Sequence, residues 1–208
     1  MSLIRASANG DLAAVKKILS EGADINAVDS KGRSALIEAA WGGYSGIVKV
    51  LIDGGADVNC VDNSGFTALM RAVEEQDVSI VSMLIEKGAD VNTRGFVKGS
   101  TPLMLAAEKG DCKIIEILLD NGAKINAIDQ FEETALTRAY KEEQLQAVTF
   151  LESKGAIKRR DRSQFSVSDK EFRVFTKASL PKWSADAEDD DTEEDEIASE
   201  EQFDEEIE

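Results

Sequence analysis

Carboxylates and two thiols are the side chains through which this 208-residue chain could do chemistry, because it contains no histidine. The absence of histidine excludes Ser-His-Asp and Cys-His catalysis and zinc sites with histidine ligands. Cys60 and Cys112 are too few for a four-cysteine zinc site or a disulfide framework. The sequence also has no phosphate-binding glycine loop and no nucleophile elbow. We therefore predict no catalytic residue, no metal site and no cofactor.

The carboxylates recur at regular intervals instead of converging on one place. Asp24, Asp57 and Asp90 are 33 residues apart, which favours a role in turns and caps over acid–base chemistry. Cys60 occupies a position of the same periodicity that elsewhere holds small residues, and Cys112 falls at the start of a predicted helix. No cluster of basic side chains that would favour a thiolate is visible near either cysteine. Both thiols are interpreted as inert.

Two motifs repeat along the chain with a period of 33 or 34 residues. A Gly-Ala-Asp-Val-Asn motif, with small substitutions, begins at Gly22, Gly55, Gly88 and Gly122. A second motif has Leu two residues and Ala five residues after a hydroxyl residue, and it begins at Ser34, Thr67, Thr101 and Thr134. The period is that of a repeat protein.

Each repeat predicts a pair of short helices. The Ser or Thr is an N-cap candidate, and the Leu and Ala that follow lie one helical turn apart on one face. A second helix carries an apolar stripe, as in Ile47, Val48 and Leu51. The Gly of Gly-Ala-Asp is suited to the left-handed conformation that ends a helix. A single pair cannot bury its stripe, so we expect the pairs to stack.

With these motifs in register, the sequence resembles the ankyrin repeat family over residues 1–157. The resemblance implies an all-α solenoid of five helix pairs with β-turn fingers projecting from one edge. The first pair, residues 3–20, has no preceding finger and is predicted to be the N-terminal cap. Its predicted polar outer face consists of Arg5, Asn9, Lys16 and Lys17.

The sequence departs from the family pattern in places. The histidine that the family often has in the first helix is absent, so side-chain links between fingers are expected to be missing. Gln76 and Glu143 replace a glycine between the two helices of a pair, which costs on the order of 1 kcal/mol each if that position requires a positive φ. The fourth finger has one extra residue, and Glu132 replaces a glycine at the tip of the fifth finger.

The resemblance implies binding of a protein partner through the finger tips and the inner face of the first helices. Large aromatic residues occupy positions that packing of the repeat does not require, and such residues are typical of binding hot spots. The alternative is that each ring packs on its own neighbouring finger. The predicted partner-binding residues are Arg33, Trp41, Tyr44, Phe66, Glu74, Phe96, Lys98 and Phe131.

Charge is segregated beyond the repeats. Residues 158–185, the basic neck, hold 8 basic and 3 acidic side chains, and residues 186–208, the acidic tail, hold 15 acidic and none that is basic. Ser168 and Glu171 match a capping box, which predicts a short helix at 169–178. That helix would either cap the last repeat or dock on a partner. The tail is predicted to be disordered, because it repels itself and has few apolar residues.

We therefore interpret the chain as a non-enzymatic protein-binding module, monomeric when free. The alternatives are an escort of a basic protein, such as a ribosomal protein or a histone, that uses the acidic tail, and a regulatory subunit that inhibits an enzyme. The acidity argues against direct binding of nucleic acid. No apolar run is long enough to span a membrane and no signal peptide is apparent, which favours the cytoplasm. The basic cluster at 158–162 makes the nucleus a second option.

Overall fold

The structure, a computed structural model, describes residues 1–96 and 98–157. Within these residues the chain forms ten α-helices that follow one another as five pairs, which confirms the predicted all-α repeat architecture. In chain order the helices are α1 (Leu3–Ala8), α2 (Leu12–Ser20), α3 (Ala35–Trp41), α4 (Ser45–Asp53), α5 (Ala68–Glu74), α6 (Val78–Glu86), α7 (Pro102–Lys109), α8 (Cys112–Asp120), α9 (Ala135–Lys141) and α10 (Leu145–Ser153). The basic neck, the helix predicted at 169–178 and the acidic tail lie outside the described residues.

Hydroxyl caps start the first helices of the second to fifth pairs. In each case the side-chain oxygen accepts a hydrogen bond from the backbone N–H three residues later, at 3.2–3.4 Å. The four capping residues are Ser34, Thr67, Thr101 and Thr134. Each cap satisfies one of the backbone donors that a helix start leaves without a partner, so the predicted role of the hydroxyl residues is confirmed.

The second helices begin in two different ways. Aspartate side chains cap α2, α6 and α8 through Asp11, Asp77 and Asp111. Tyr44 and Gln144 precede α4 and α10 and form no side-chain cap. All five second helices are followed by a glycine with φ between 86° and 89°, as expected for a left-handed helix terminator.

The helices form two layers. Each first helix packs on the first helix of the next pair, and each second helix packs on the next second helix. The leucines of the repeated motif, Leu36, Leu69, Leu103 and Leu136, are at most 1 % exposed, and the alanines that follow them are fully buried. Small alanine side chains let the first helices approach closely, so the core runs continuously through the stack.

Asparagines of the Gly-Ala-Asp-Val-Asn motif connect successive repeats. Asn26 Oδ1 accepts the Asp57 N–H at 2.8 Å, and Asn59 accepts the Asp90 N–H at the same distance. Asn92 and Asn126 make the equivalent bonds in the next two repeats. Each motif aspartate in the first three copies accepts the N–H of its own asparagine two residues later. The turn role predicted for these aspartates is confirmed.

The fingers lie between the helix pairs, and their bases are closed by antiparallel bridges, such as Val28 with Ser34. Backbone bonds join successive fingers, since the N–H of Asn63 donates to the Lys31 carbonyl at 2.9 Å and that of Gln130 to the Lys98 carbonyl at 3.0 Å. Side chains link the fingers as well, since Asn63 Nδ2 donates to the Ser30 carbonyl and Gln130 Nε2 to the Phe96 carbonyl, both at 3.2 Å. The expectation that side-chain links would be missing without histidine is therefore wrong.

The turn between the two helices of each pair requires a positive φ, as predicted. Gly10 and Gly110 adopt φ of 73° and 75°, whereas Gln76 and Glu143 adopt 57° and 55°. Left-handed conformations are costly for residues that carry a Cβ atom. The two replacements therefore store strain in the third and fifth repeats.

Whether a side chain fits in one of these turns depends on the residue that the following repeat packs against it. A Cβ atom at Gly10 would lie 2.6 Å from the Tyr44 ring, and one at Gly110 would lie 2.3 Å from Gln144 Oε1. The residue that follows Gln76 one repeat later is the shorter Asp111, and Glu143 is in the last of the described repeats. A side chain is therefore sterically tolerated at these two positions, although the backbone remains strained.

We expect Glu143→Gly to stabilise the chain by about 1 kcal/mol, because glycine adopts the left-handed conformation without the steric penalty of a Cβ atom. The free energy of unfolding from chemical denaturation provides the measurement. The matched control is Glu142→Gly, since Glu142 has φ of −91° and gains nothing from glycine. Equal or lower stability of Glu143→Gly would contradict the strain assigned to this turn.

Candidate partner-binding surface

The inner surface consists of the fingers and the exposed side of the first helices, and we call it the groove. Its periodic element is an aspartate at the base of a finger. Oδ1 of Asp29, Asp62 and Asp129 accepts two backbone N–H groups of its own finger, at 2.8–2.9 Å. Each of these carboxylates therefore shapes its finger.

Ion pairs fasten these aspartates to arginines. Asp62 pairs with Arg71 of α5 at 3.1 Å, and Asp129 pairs with Arg138 of α9 at 2.7 Å. In the second repeat, Arg33 of the finger pairs with Asp29 at 2.8 Å and with Glu38 of α3 at 2.6 Å. Two of the finger aspartates, Asp62 and Asp129, have at most 4 % of their side chains exposed, so removal of a cation would leave a buried charge.

The pKa values of two finger carboxylates lie below the ordinary value for aspartate. For Asp29, the backbone N–H of Arg33 is the main cause of the lowered pKa. Burial raises the pKa of Asp129, but hydrogen bonds from Arg138 and from backbone N–H groups outweigh it. The folded state therefore favours the ionised form of both groups.

Arg71 gathers three of the residues predicted to bind a partner. Its guanidinium lies 4.1 Å from the centre of the Phe66 ring and 4.7 Å from that of Trp41, which are cation–π distances. Nη1 of the same side chain pairs with Glu74 at 2.9 Å. Sequence analysis missed Arg71, although Arg138 lies at the corresponding position of the fifth repeat, which is a signal that could have found it.

Two further predicted aromatic residues lie at the finger tips. Phe96 and Phe131, on adjacent fingers, are 60 % and 65 % exposed, and Trp41 is 42 % exposed. Phe96 also lies against the preceding finger, because a Cβ atom at Gly65 would be 2.8 Å from its Cγ. One face of Phe96 therefore packs locally and the rest remains open. Phe66 is half-buried beneath Arg71.

Two of the predicted residues are already engaged within the chain. Tyr44 is half-buried, and its ring lies against Gly10 and Gly42 in the turns between helices, outside the cluster around Arg71. Arg33 is half-buried between its two carboxylate partners. The assignment of both residues to partner binding stays a prediction.

Lys98 and Glu74 line cavities on the groove. One cavity, of about 280 Å³, lies between the third and fifth repeats and includes both residues. A second, of about 380 Å³, is lined by Lys98 and Phe131 among others. Lys98 is exposed and forms no ion pair with any residue that the structure describes.

The thiols are separate from these cavities. Cys60 and Cys112 are both half-buried and free. Burial raises the pKa of the Cys60 thiol, and the carboxylates of Asp57 and Asp62 raise it further, which disfavours the reactive thiolate. Over residues 1–96 and 98–157, no group of three or more potential acidic or cysteine ligands is placed to hold a metal ion. In the same residues, every helix is too short or too polar to cross a membrane.

The family model described as ankyrin repeats, in three copies, matches residues 3–95 and 93–161. The chain therefore belongs to the ankyrin repeat family, and the resemblance seen in the repeated motifs is confirmed. Ankyrin repeats are generally protein–protein interaction modules and are typically non-enzymatic. No curated protein matches the chain at a significant level.

We expect Arg138→Met to cost about 3–5 kcal/mol of stability at neutral pH, because it leaves the buried Asp129 carboxylate without its cation. The lowered pKa of Asp129 adds a pH signature. A carboxylate whose folded-state pKa is depressed contributes stability above its ordinary pKa, about 3.9, and loses that contribution as the pH falls through the folded value. The difference between wild type and variant should therefore shrink below about pH 4.

Chemical denaturation at pH 7 and in acid measures both parts of this prediction. Lys113→Met is the control, because the Lys113–Glu116 pair lies on the surface and its loss should leave stability unchanged within error. A loss below about 1 kcal/mol for Arg138→Met would show that the buried network is not a determinant of stability.

Proposed function

We propose that this chain is a non-enzymatic module that binds a protein partner along the groove, through finger tips and inner helices. The observation that carries the proposal is the exposure of two phenylalanines on adjacent fingers, Phe96 and Phe131, together with Trp41. Exposed aromatic rings lose little conformational entropy on binding and bury a large apolar area. A single exposed apolar residue is normal on a protein surface, whereas several exposed aromatic rings on the same surface indicate an interaction site.

The arrangement of the charges supports the same function. Arg71 holds the Trp41 and Phe66 rings in place by cation–π contacts, and its own charge is compensated by Asp62 and Glu74. Preorganised side chains pay less on binding than side chains that must first be ordered. A partner would therefore meet a surface that is already assembled.

We expect Trp41→Ala and Phe131→Ala each to weaken partner binding by at least about 2 kcal/mol, roughly thirtyfold in affinity. Partners would first be captured from native lysate with the full chain, and the affinity of each purified partner would then be measured by calorimetry. Leu145→Ala is the control, since Leu145 is 71 % exposed but belongs to an outer helix. If both groove variants bind as tightly as the control, the groove proposal fails.

A second candidate function is the escort of a basic protein, such as a ribosomal protein or a histone. It is favoured by the acidic tail, which holds 15 carboxylates in residues 186–208 and no basic side chain. So many carboxylates in a short segment attract a cationic partner over about one Debye length, near 8 Å in physiological salt. We propose the cytoplasm as the location of this activity, and the basic cluster at 158–162 is the feature that favours the nucleus as the alternative.

We expect a chain that ends at Ala185 to lose affinity for a basic client and to show a flatter dependence of affinity on salt, because the long-range attraction of the tail is removed. Binding isotherms at increasing salt concentration, recorded for the full and the shortened chain, provide the measurement. An acidic partner serves as the comparison, since its affinity should rise when the repulsion by the 15 carboxylates of the tail is removed. Unchanged affinity and salt slope for every captured partner would leave the tail with a solubilising role.

A further inference from the structure

The fourth repeat lacks the aspartate–arginine pair that fills the groove in the repeats beside it. Leu105 occupies the position that Arg71 and Arg138 hold in the third and fifth repeats. Gly95 occupies the finger position of the aspartate, since its N–H donates to the Ser100 carbonyl at 3.0 Å, as the N–H of Asp62 does to the Phe66 carbonyl at 2.9 Å. Neither half of the ion pair is present in this repeat.

The missing pair leaves the cavity of about 280 Å³ open. Phe66, Met70 and Leu105 are its apolar lining. Met70 is fully buried and Leu105 is 8 % exposed, so the apolar atoms lie at the base. Pockets for small organic ligands usually enclose about 300–1,000 Å³. A cavity just below that range, with an apolar base, fits a single large side chain of a partner.

The charged side chains at the rim of the cavity differ in whether they already form ion pairs. Glu74 pairs with Arg71 at 2.9 Å and Glu108 with Arg138 at 3.1 Å, although each arginine also pairs with the aspartate of its finger. Lys98 also lies at the rim and is exposed, with no ion pair to the described residues. A group that enters the cavity therefore meets two carboxylates that are held in ion pairs but only partly compensated, and the ammonium of Lys98, which no carboxylate of the described residues pairs with.

We propose that this cavity anchors a partner segment in which a large apolar side chain is adjacent to an acidic one. The apolar side chain enters the cavity above Leu105, and the carboxylate pairs with Lys98 Nζ. This inference rests on the proposed function of the groove and names the chemistry of its partner at one place.

The overall charge narrows the choice of occupant to a separate protein. Residues 1–157 hold 23 acidic and 16 basic side chains, so the repeats repel a strongly acidic segment. The acidic tail of the same chain, with its 15 carboxylates, is disfavoured for this reason. A segment with one acidic residue beside its apolar anchor avoids most of that repulsion.

Selection of a phage-displayed library of random linear peptides on the full chain tests the proposal. We expect enriched peptides that carry Phe, Leu or Met next to Asp or Glu. Lys98→Glu should weaken the synthetic versions of these peptides by at least about tenfold, because the rim cation becomes an anion, and should shift the selection toward Lys or Arg beside the apolar residue. Leu105→Arg, which restores the side chain of the neighbouring repeats, should weaken them to a similar extent by filling the cavity.

Lys109→Glu is the matched control, since Lys109 is an exposed lysine of α7 outside both cavities, and it should leave binding unchanged. Cooperative unfolding of every variant shows that the fold is kept. Three outcomes would overturn the inference. No peptide is enriched, the enriched peptides lack the apolar–acidic pair, or the peptide affinities are the same for wild type, Lys98→Glu and Leu105→Arg. Displacement of the peptides by a synthetic 186–208 peptide would assign the cavity to the tail and would also overturn it.

The result that would contradict the proposed function differs from the results that would overturn this inference. If captured partners depend on Trp41 and Phe131 but not on Lys98 and Leu105, groove binding stands and the anchor site is wrong. If they depend on none of the four residues, the groove proposal itself is wrong.

Discussion

Stacking between neighbouring helix pairs is the constraint on which the rest of this structure depends. A pair of helices of six to nine residues has an apolar face that it cannot bury alone. The fully buried alanines of the first helices, such as Ala39 and Ala72, let adjacent pairs approach closely enough to bury that face. The asparagine bonds between turns and the backbone bonds between fingers then set the spacing that the core packing requires.

Strain in the turns follows from the same nearest-neighbour geometry. Each turn adopts a positive φ because the chain must reverse between two helices within very few residues. Where the next repeat places Tyr44 or Gln144 on that turn, a Cβ atom would lie within 2.6 Å of that side chain, which would have to move. Gln76 and Glu143 are not under that steric pressure, so the cost at these positions is conformational alone. The absence of a close neighbour permits the replacement of glycine but does not require it, since Gly43 has only Asp77 Oδ2, at 3.9 Å, near its Cβ position.

Burial of charge connects the scaffold to recognition. The finger aspartates are needed to shape the fingers, and the arginines of α5 and α9 are needed to compensate the aspartates once these are buried. Most groove charges are therefore used internally and are expected to contribute little net attraction to a partner. In the function proposed above, recognition depends on the exposed rings and on the fourth repeat, where Leu105 and Gly95 interrupt the network of ion pairs.

Local residue patterns are enough to predict the repeat period, the caps of the first helices, the glycines that end the second helices, the buried leucines and the turns with a positive φ. These features depend on residues within about one helical turn of each other, such as a Thr hydroxyl and the N–H three residues later. Other features follow only from the folded arrangement: Arg71 joins Trp41 to Phe66, Tyr44 packs in the turns, and Lys98 forms no ion pair within residues 1–96 and 98–157. The contact of Arg71 with Trp41 joins residues about one repeat apart. Several charged and aromatic side chains come within reach of each other across the stack, and their geometry, which a local sequence pattern does not specify, decides which of them are in contact.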